Sequence, residues 1–294
     1  MTRIAVAGLG SMGSGMARRC VAAGHAVWGL DVNEDAASRF VADGGREGPL
    51  PDDLDALMIV VLNAAQTEAV LFGEDGLADA LPEGAVVIAC ATVAPDFARA
   101  MAARCAERGL LYLDAPISGG SLKAADGTLS VMASGSDAAF AAARPALDAV
   151  AATVFELGPE PGAGSAMKAV NQMLVGIHIA AMGEAITFGM TQGVAPDAFL
   201  DVIRECAGNS WALDNRAPHV VEGDYAPRSQ VDIWPKDLGI VLDIARAAKF
   251  PAPVTAAAMQ QFLAASGMGL GREDDAAVAK VYARLAGLTL PGEA

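Results

Sequence analysis

Histidine, cysteine, aromatic residues and positive charge are all scarce in this 294-residue chain. The three histidines, His25, His178 and His219, have no partner at a spacing that builds a metal site or a catalytic triad. The four cysteines, Cys20, Cys90, Cys105 and Cys206, lie far apart with no Cys-x-x-Cys pair. That argues against a disulfide framework or a zinc site and fits a reducing compartment. Lysine and arginine number 20 against 35 aspartates and glutamates, a formal net charge of −15. A general nucleic-acid binder needs a basic face to release counterions from phosphates, and an anionic membrane surface attracts basic segments. Neither nucleic acid nor membrane is therefore an expected partner. The chain opens Met-Thr-Arg and runs at once into a short apolar stretch, unlike a signal peptide, so a cytoplasmic location is expected.

What the chain has in quantity is apolar surface. Residues AVILMFWYC make up 53% of it and charged residues 19%, enough for a large core, and the length suits two domains. Residues 169–190 (AVNQMLVGIHIAAMGEAITFGM) could span a bilayer by length. They carry Asn171, Gln172, His178 and Glu184, however, and intramembrane charge is costly. A buried core helix is the expected form.

The first half alternates unbroken apolar runs (Ile4–Ala7, Ala26–Leu30, Leu57–Leu62, Ala85–Ala89, Leu110–Leu113) with helical stretches (Met12–Ala23, Asp35–Asp43, Gln66–Phe72, Asp96–Glu107). Continuous hydrophobicity marks strands covered on both faces, so this half predicts a Rossmann-type, doubly wound α/β sheet. After Pro116 the pattern predicts a strand at Leu129–Ser134, a helix at Ala138–Val150 and a strand at Thr153–Leu157. The segment GPEPGAG (158–164) is dense in Gly/Pro punctuation and marks the divide between residues 1–160 and 161–294. Beyond it only helical patterns remain, at about 165–192, 196–206, 237–249, 253–266 and 274–286. The second half reads as an all-α domain entered through one long linking helix, with a loose tail from Leu288.

Gly8-Leu9-Gly10-Ser11-Met12-Gly13 directly follows the first strand and opens the first helix. Gly8 suits the tight turn, Gly10 lets backbone reach a pyrophosphate, and Gly13 lets helix pack close to strand. The helix N-terminus then offers free N–H groups and a favourable dipole to the phosphates. Asp31 ends the second strand 21 residues after Gly10, where an acid meets the ribose hydroxyls. Its carboxylate would repel a 2′-phosphate, and Val32-Asn33-Glu34-Asp35 supplies no arginine to hold one, so NAD is the expected cofactor.

Two further segments have the residue types for chemistry. Asp114-Ala-Pro116-Ile-Ser118-Gly119-Gly120 follows a strand and combines a hydroxyl with exposed backbone N–H groups, which suits a small carboxylate. On its own it reads equally well as an ordinary Pro/Gly loop. Lys168, Asn171 and Gln172 stand at i, i+3 and i+4 and share a face of the long helix. A lysine on so apolar a helix is either functional or solvated near an end. A partly desolvated lysine has its pKa lowered toward working pH, as a general acid/base requires.

Four stretches, GLGSMGSGMA (8–17), DAPISGG…GTLSVMASG (114–135), GAGSAMKAVNQ (162–172) and KDLGIVLD (236–243), resemble the signatures of the β-hydroxyacid dehydrogenases, in order and spacing. The resemblance runs from about residue 3 to 286. It is strongest to the branch of that family acting on L-threonate, through residues 120–140, 207–216, 231–243 and 269–282. It implies oxidation of a small anionic hydroxy acid with NAD, with a 3-hydroxy acid such as 3-hydroxyisobutyrate, or glycerate, as the alternative substrate. Lys168 would be the catalytic acid/base; Ser118, Gly119 and Gly120 would hold the substrate carboxylate. Gln172, standing where many members have asparagine, would hydrogen-bond the substrate beside Asn171, and Asp237 would border it. Leu62, Asn63, Thr67 and Thr92 would line the nicotinamide half of the cofactor site, and Lys236 would reach the cofactor. No metal is implied. A homodimer or homotetramer is expected, with the helical domain at the interface. Trp211 reads either as a pocket wall or as core, and the acidic run Arg272-Glu-Asp-Asp275 as a cap for the last helix.

Overall fold

A computed structural model describes residues 1–293. They form two compact units, Met1–Lys168 and Ala169–Ala294. The first unit opens with β1 (Arg3–Ala7), α1 (Gly13–Ala22), β2 (Ala26–Leu30), α2 (Glu34–Ala42), β3 (Ala56–Ile59) and α3 (Ala64–Phe72). It continues with β4 (Val86–Ala89), α4 (Pro95–Ala106) and β5 (Leu111–Asp114). These five strands pair in parallel in the order β2-β1-β3-β4-β5. Successive residues of each strand feed different apolar clusters: Ile4, Val6, Met58, Val86 and Ile88 belong to one. Ala5, Ala7, Leu57, Ile59, Val87 and Ala89 belong to another. Both faces are covered, and the unbroken apolar runs follow from that.

The third strand is shorter than its apolar run predicts. Pairing ends at Ile59 opposite Ala7, and only the Val60 N–H still donates to the Ala7 carbonyl (2.8 Å). From there the chain leaves the sheet to enter α3, whose first turn Asn63 caps.

The Pro/Gly stretch after β5 holds more structure than its sequence suggests. β6 (Ile117–Ser118) and the seven-residue α5 (Gly120–Asp126) precede β7 (Leu129–Ala133), α6 (Asp137–Val150) and β8 (Ala151–Glu156). β6 runs antiparallel and β8 parallel to β7, forming a separate three-stranded sheet. A two-residue strand around a proline has no periodicity to detect.

α7 (Ala163–Thr191) crosses from the first unit into the second, so the divide between units falls at Lys168 rather than in the Gly/Pro segment. The second unit adds α8 (Pro196–Arg204), α9 (Trp211–Glu222), α10 (Ile233–Ala247), α11 (Pro253–Ala265) and α12 (Ala279–Ala286). A short 3₁₀ turn, Asp275–Val278, leads into α12, splitting the single helix expected at 274–286. Its core joins Ile179, Met182 and Ile186 of α7 to Leu213, Trp234, Leu238 and Phe262, with Trp234 stacked on Phe262 at 5.4 Å between ring centroids. α7 is long and apolar enough to cross a membrane by composition, and one of its faces is buried in this core. Its other face is exposed at Val170, Leu174 and Phe188, which a fully buried helix would not show.

α9 was not visible in the sequence. Pro218 interrupts its pattern, although Ser210 caps the first turn through the Leu213 N–H (3.0 Å). Two other expectations need correcting. The acidic run caps the 3₁₀ turn rather than the last helix itself, since Asp274 accepts the Ala276 N–H, and Asp274 and Asp275 are fully buried. Asp274 binds His219 Nδ1 at 2.7 Å and the Arg228 N–H, while Asp275 binds Arg216 Nε at 2.5 Å and Trp234 Nε1 at 2.9 Å. Burial pushes the Asp274 carboxyl up, and the bonds from His219, Arg228 and Ala276 outweigh it and hold it below its ordinary value. The tail is also anchored: Leu290 is buried in the second unit's core, and Gly292 packs against Gly223.

Phe262 is the largest fully buried side chain, so Phe262→Ala removes both area and a stacked ring. Chemical denaturation is expected to show a loss of about 3–5 kcal/mol in stability. A loss below about 1 kcal/mol would mean that the helical core does not rest on this stack.

Candidate active site

The glycine loop is built as the sequence predicts. Gly8 has φ +95°, and a Cβ there would lie 2.3 Å from the Val60 carbonyl oxygen. At Gly13 a Cβ would lie 1.8 Å from the Gly8 carbonyl oxygen, so only glycine allows α1 to start this close to the turn. Gly10 differs: nothing lies within 4 Å of a Cβ built on it, which leaves an open backbone surface that a phosphate could approach. Ser11 is exposed and Met12 half-buried, and α1 begins with neither a side-chain cap nor an acidic residue in its first turn. Those amides and the helix dipole are thus placed for an anion. Asp31 closes the arrangement: one carboxylate oxygen accepts the Leu9 N–H (2.6 Å) and the other the Asn33 N–H (2.8 Å). Each oxygen keeps further acceptor capacity for a hydroxyl. Turn, uncapped helix and acid fit a dinucleotide.

The next four positions differ in what they expose. Leu62 is exposed, and its N–H donates to Gln66 Oε1 (2.8 Å), while Asn63 Oδ1 accepts the Gln66 N–H (2.9 Å). Leu62, Asn63 and Gln66 therefore brace the start of α3 reciprocally, as in a capping box. Thr67 is buried, with its hydroxyl donating to the Asn63 carbonyl (3.0 Å), so it shapes the helix from within. Thr92 is half-buried on the loop between β4 and α4.

Ser118 ends β6, and Gly119 and Gly120 follow with φ +137° and +74°. Both conformations favour glycine, and together they turn the chain from β6 into α5. The Lys168 ammonium reaches the same loop from α7: its Nζ donates to the Ile117 carbonyl at 2.8 Å, and the side chain is only 7% exposed. The first unit thereby brings an amine, a hydroxyl and an N–H-rich turn together. Lys123, on α5, is exposed, its aliphatic stem over Gly119.

In the second unit four polar side chains form one chain of hydrogen bonds. Asn171 Nδ2 donates to Gln172 Oε1 (2.9 Å), and Gln172 Nε2 donates to Asp237 Oδ2 (2.5 Å). Lys236 Nζ pairs with Asp237 Oδ1 (2.5 Å). Asp237 is 2% exposed, and its two oxygens orient Gln172 and Lys236. Trp211 is exposed at the start of α9 and belongs to no core.

Sequence reasoning named Asp114 within a motif but gave it no role, and it passed over Ser134 and Ser165. In the structure Asp114 is 1% exposed and accepts from Ser165 Oγ, from the Ser165 and Gly162 N–H groups and from Ser134 Oγ. Burial pushes its carboxyl above the ordinary value while those bonds pull it down. Residues some 50 positions apart leave no local signal.

A parallel sheet with an open glycine turn, an acid at the end of its second strand and a buried lysine seated beside a Ser-Gly-Gly loop are the features of a nicotinamide-dependent dehydrogenase. Residues 3–158 match the family model described as the NAD binding domain of 6-phosphogluconate dehydrogenase. Residues 162–282 match the one described as NAD-binding of NADP-dependent 3-hydroxyisobutyrate dehydrogenase. The chain is 50% identical to an L-threonate dehydrogenase of Cupriavidus necator, across 99% of this chain and 98% of the relative. It is 46% identical to an L-threonate dehydrogenase of Escherichia coli K12, across 98% and 96%. A crystal structure of 3-hydroxyisobutyrate dehydrogenase from Salmonella typhimurium superposes with a TM-score of 0.90 at 45% identity, across 96% of this chain and 100% of that one. The chain belongs to the β-hydroxyacid dehydrogenase family and is an NAD-dependent hydroxyacid dehydrogenase.

Gly13→Ala drives a methyl group into the Gly8 carbonyl, and titration calorimetry is expected to show NAD affinity at least about tenfold weaker. Gly267→Ala, where a Cβ meets open space, is expected to bind NAD as the wild type does. Equal affinity in both variants would mean that the turn does not hold the dinucleotide.

Proposed function

We propose that this protein oxidises L-threonate at C2 to 2-dehydro-L-erythronate, with NAD as hydride acceptor and Lys168 as the group that takes the hydroxyl proton. The observation that carries the reading is the seating of the Lys168 amine on the Ile117 carbonyl, directly before the Ser118-Gly119-Gly120 turn. The choice of L-threonate is supported by the curated relatives at 46–50% identity over nearly the whole chain.

The roles divide by chemistry. Ser118 Oγ and the Gly119 and Gly120 N–H groups hold the substrate carboxylate, which fixes the carbinol carbon. Lys168 Nζ, unprotonated in the oxidation direction, accepts the proton as the hydroxyl becomes a carbonyl, and returns it in the reverse direction. Asn171 and Gln172 bind substrate oxygens, with Gln172 held by Asp237. Gly8 to Gly13 cradle the pyrophosphate, Leu62, Asn63, Thr67 and Thr92 flank the nicotinamide half, and Lys236 reaches the cofactor. When bound, NAD supplies the hydride acceptance that no side chain can. Positioning contributes much of the rate, and the base about 10²–10⁴-fold. Asp31 favours NAD over NADP, because a second anion beside its carboxylate is repelled. Residues 1–160 serve the dinucleotide, while 161–294 serve substrate binding and self-association in the cytoplasm.

The homo-oligomer is supported by α7. Val170, Leu174 and Phe188 are each at least half exposed. At 3.6 residues per turn all three fall on one face, since 170 and 188 are five turns apart. Exposed large apolar side chains sharing one helix face mark a candidate protein–protein surface.

The test is reduced-nicotinamide absorbance with a panel of hydroxy acids. L-threonate with NAD is expected to react fastest, and Lys168→Ala is expected to lower kcat by about 10²–10⁴-fold with NAD affinity intact. Turnover of 3-hydroxyisobutyrate without turnover of L-threonate would overturn the substrate, and better rates with NADP would overturn the role of Asp31. In sedimentation, the wild type is expected as a dimer or tetramer and Leu174→Glu as a smaller species; a monomeric wild type would remove the oligomer.

A further inference from the structure

We infer that Asp114 and Ser165 are positioning residues for Lys168, locking the first turn of α7 onto the strand that leads to the substrate loop. The inference rests on Lys168 being the proton-transfer group.

A helix N-terminus has amides without intrahelical partners, and burying them unpaired is costly. α7 meets this with a tether to the first unit's strands. Asp114 Oδ2 accepts the Gly162 N–H (2.9 Å) and the Ser165 N–H (2.8 Å), and Oδ1 accepts Ser165 Oγ (2.7 Å). Ser134 Oγ accepts the Gly164 N–H (2.9 Å) and donates to Asp114 Oδ2 (3.3 Å). Asp114 and Ser134 are themselves joined by two backbone hydrogen bonds, of 3.0 and 2.8 Å. Asp114, Ser134 and Ser165 are all essentially inaccessible to water. The fit leaves no slack: a Cβ at Gly164 would lie 2.4 Å from the Met132 carbonyl oxygen and 2.7 Å from that of Asp114.

Lys168 follows Ser165 by three residues, so both side chains project from the same side of α7. Ser165 ends on Asp114, at the close of β5; Lys168 ends on Ile117, three residues further along the same strand-and-loop segment. Two rungs, i to i+3 on the helix and 114 to 117 on the facing chain, hold the amine on the Ile117 carbonyl, one residue before Ser118. Removing the first rung lets the helix start shift, and shifts of about 1 Å at a reacting group cost rate steeply. The chain's N–H and O–H donors to Asp114 also explain why a carboxylate is needed there. It takes three donors on one oxygen and a fourth on the other, in a place where water cannot substitute.

Asp114→Ala leaves several buried donors unpaired and risks the fold, so the informative variant is Ser165→Ala, examined alone and together with Lys168→Ala. Ser165→Ala is expected to lower kcat about tenfold while leaving NAD affinity unchanged. In the Lys168→Ala background the same change is expected to have no further effect on kcat, because the rung then has nothing to position. An unchanged kcat for Ser165→Ala, the same fold-loss in both backgrounds, or a parallel loss of NAD affinity would each overturn the inference, the last two marking a general structural role. Wild-type turnover by Lys168→Ala alone would instead overturn the reading of the lysine itself, and the inference with it.

Discussion

A helix start held by one buried carboxylate is the joint on which the site depends. The first amides of α7 end on Asp114 and Ser134, and everything the helix carries is placed from there. Burial alone would make a carboxylate at that point expensive. The amides and the serine hydroxyls favour its charged form and counter part of the loss of solvation, although burial still holds its carboxyl above the ordinary value. The same arrangement explains why the first unit extends to Lys168 rather than stopping at the Gly/Pro punctuation. Once its N–H groups are satisfied by Asp114, at the end of β5, and Ser134, just past β7, the first turn of α7 is held by the first unit.

Charge is the second constraint. A chain of net charge −15 that takes an anionic dinucleotide and an anionic hydroxy acid works against its own field. The local solution uses dipoles more than cations. The glycine turn presents the uncapped start of α1, and Ser118-Gly119-Gly120 presents N–H groups from two left-handed residues. Lys236 is already paired with Asp237, which limits its pull on anions and fixes its direction. Preorganised N–H groups keep their orientation when the substrate's charge distribution changes, which a mobile surface lysine does not.

Much of this was legible in the sequence because it depends on short-range rules. Unbroken apolar runs reported strands covered on both sides. Gly8 and Gly13 reported the turn because backbone geometry there admits only glycine, while Gly10 leaves open backbone and Asp31 places a charge at a fixed distance along the chain. Ser118 and Lys168 were legible as candidates, yet only the fold brings Ile117 to the lysine. What escaped has physical reasons. Asp114 and Ser165 meet across 51 residues, and Gln172 and Asp237 across 65, so neither pair leaves a periodic trace. Pro218 masked α9, the partners of Asp274 and Asp275 (His219, Arg216 and Trp234) lie 41 to 59 residues away, and nothing local marked the burial of Leu290.

If the Lys168 amine exchanges the substrate's proton, the pH dependence of kcat/KM for hydroxy-acid oxidation carries its ionisation. Oxidation needs the unprotonated amine, so in the wild type kcat/KM should fall with decreasing pH along a single ionisation. In Lys168→Ala that limb should vanish, leaving a low rate that is flat across the same range. The same limb, with the same midpoint, in both proteins would contradict the account and assign the proton to another group.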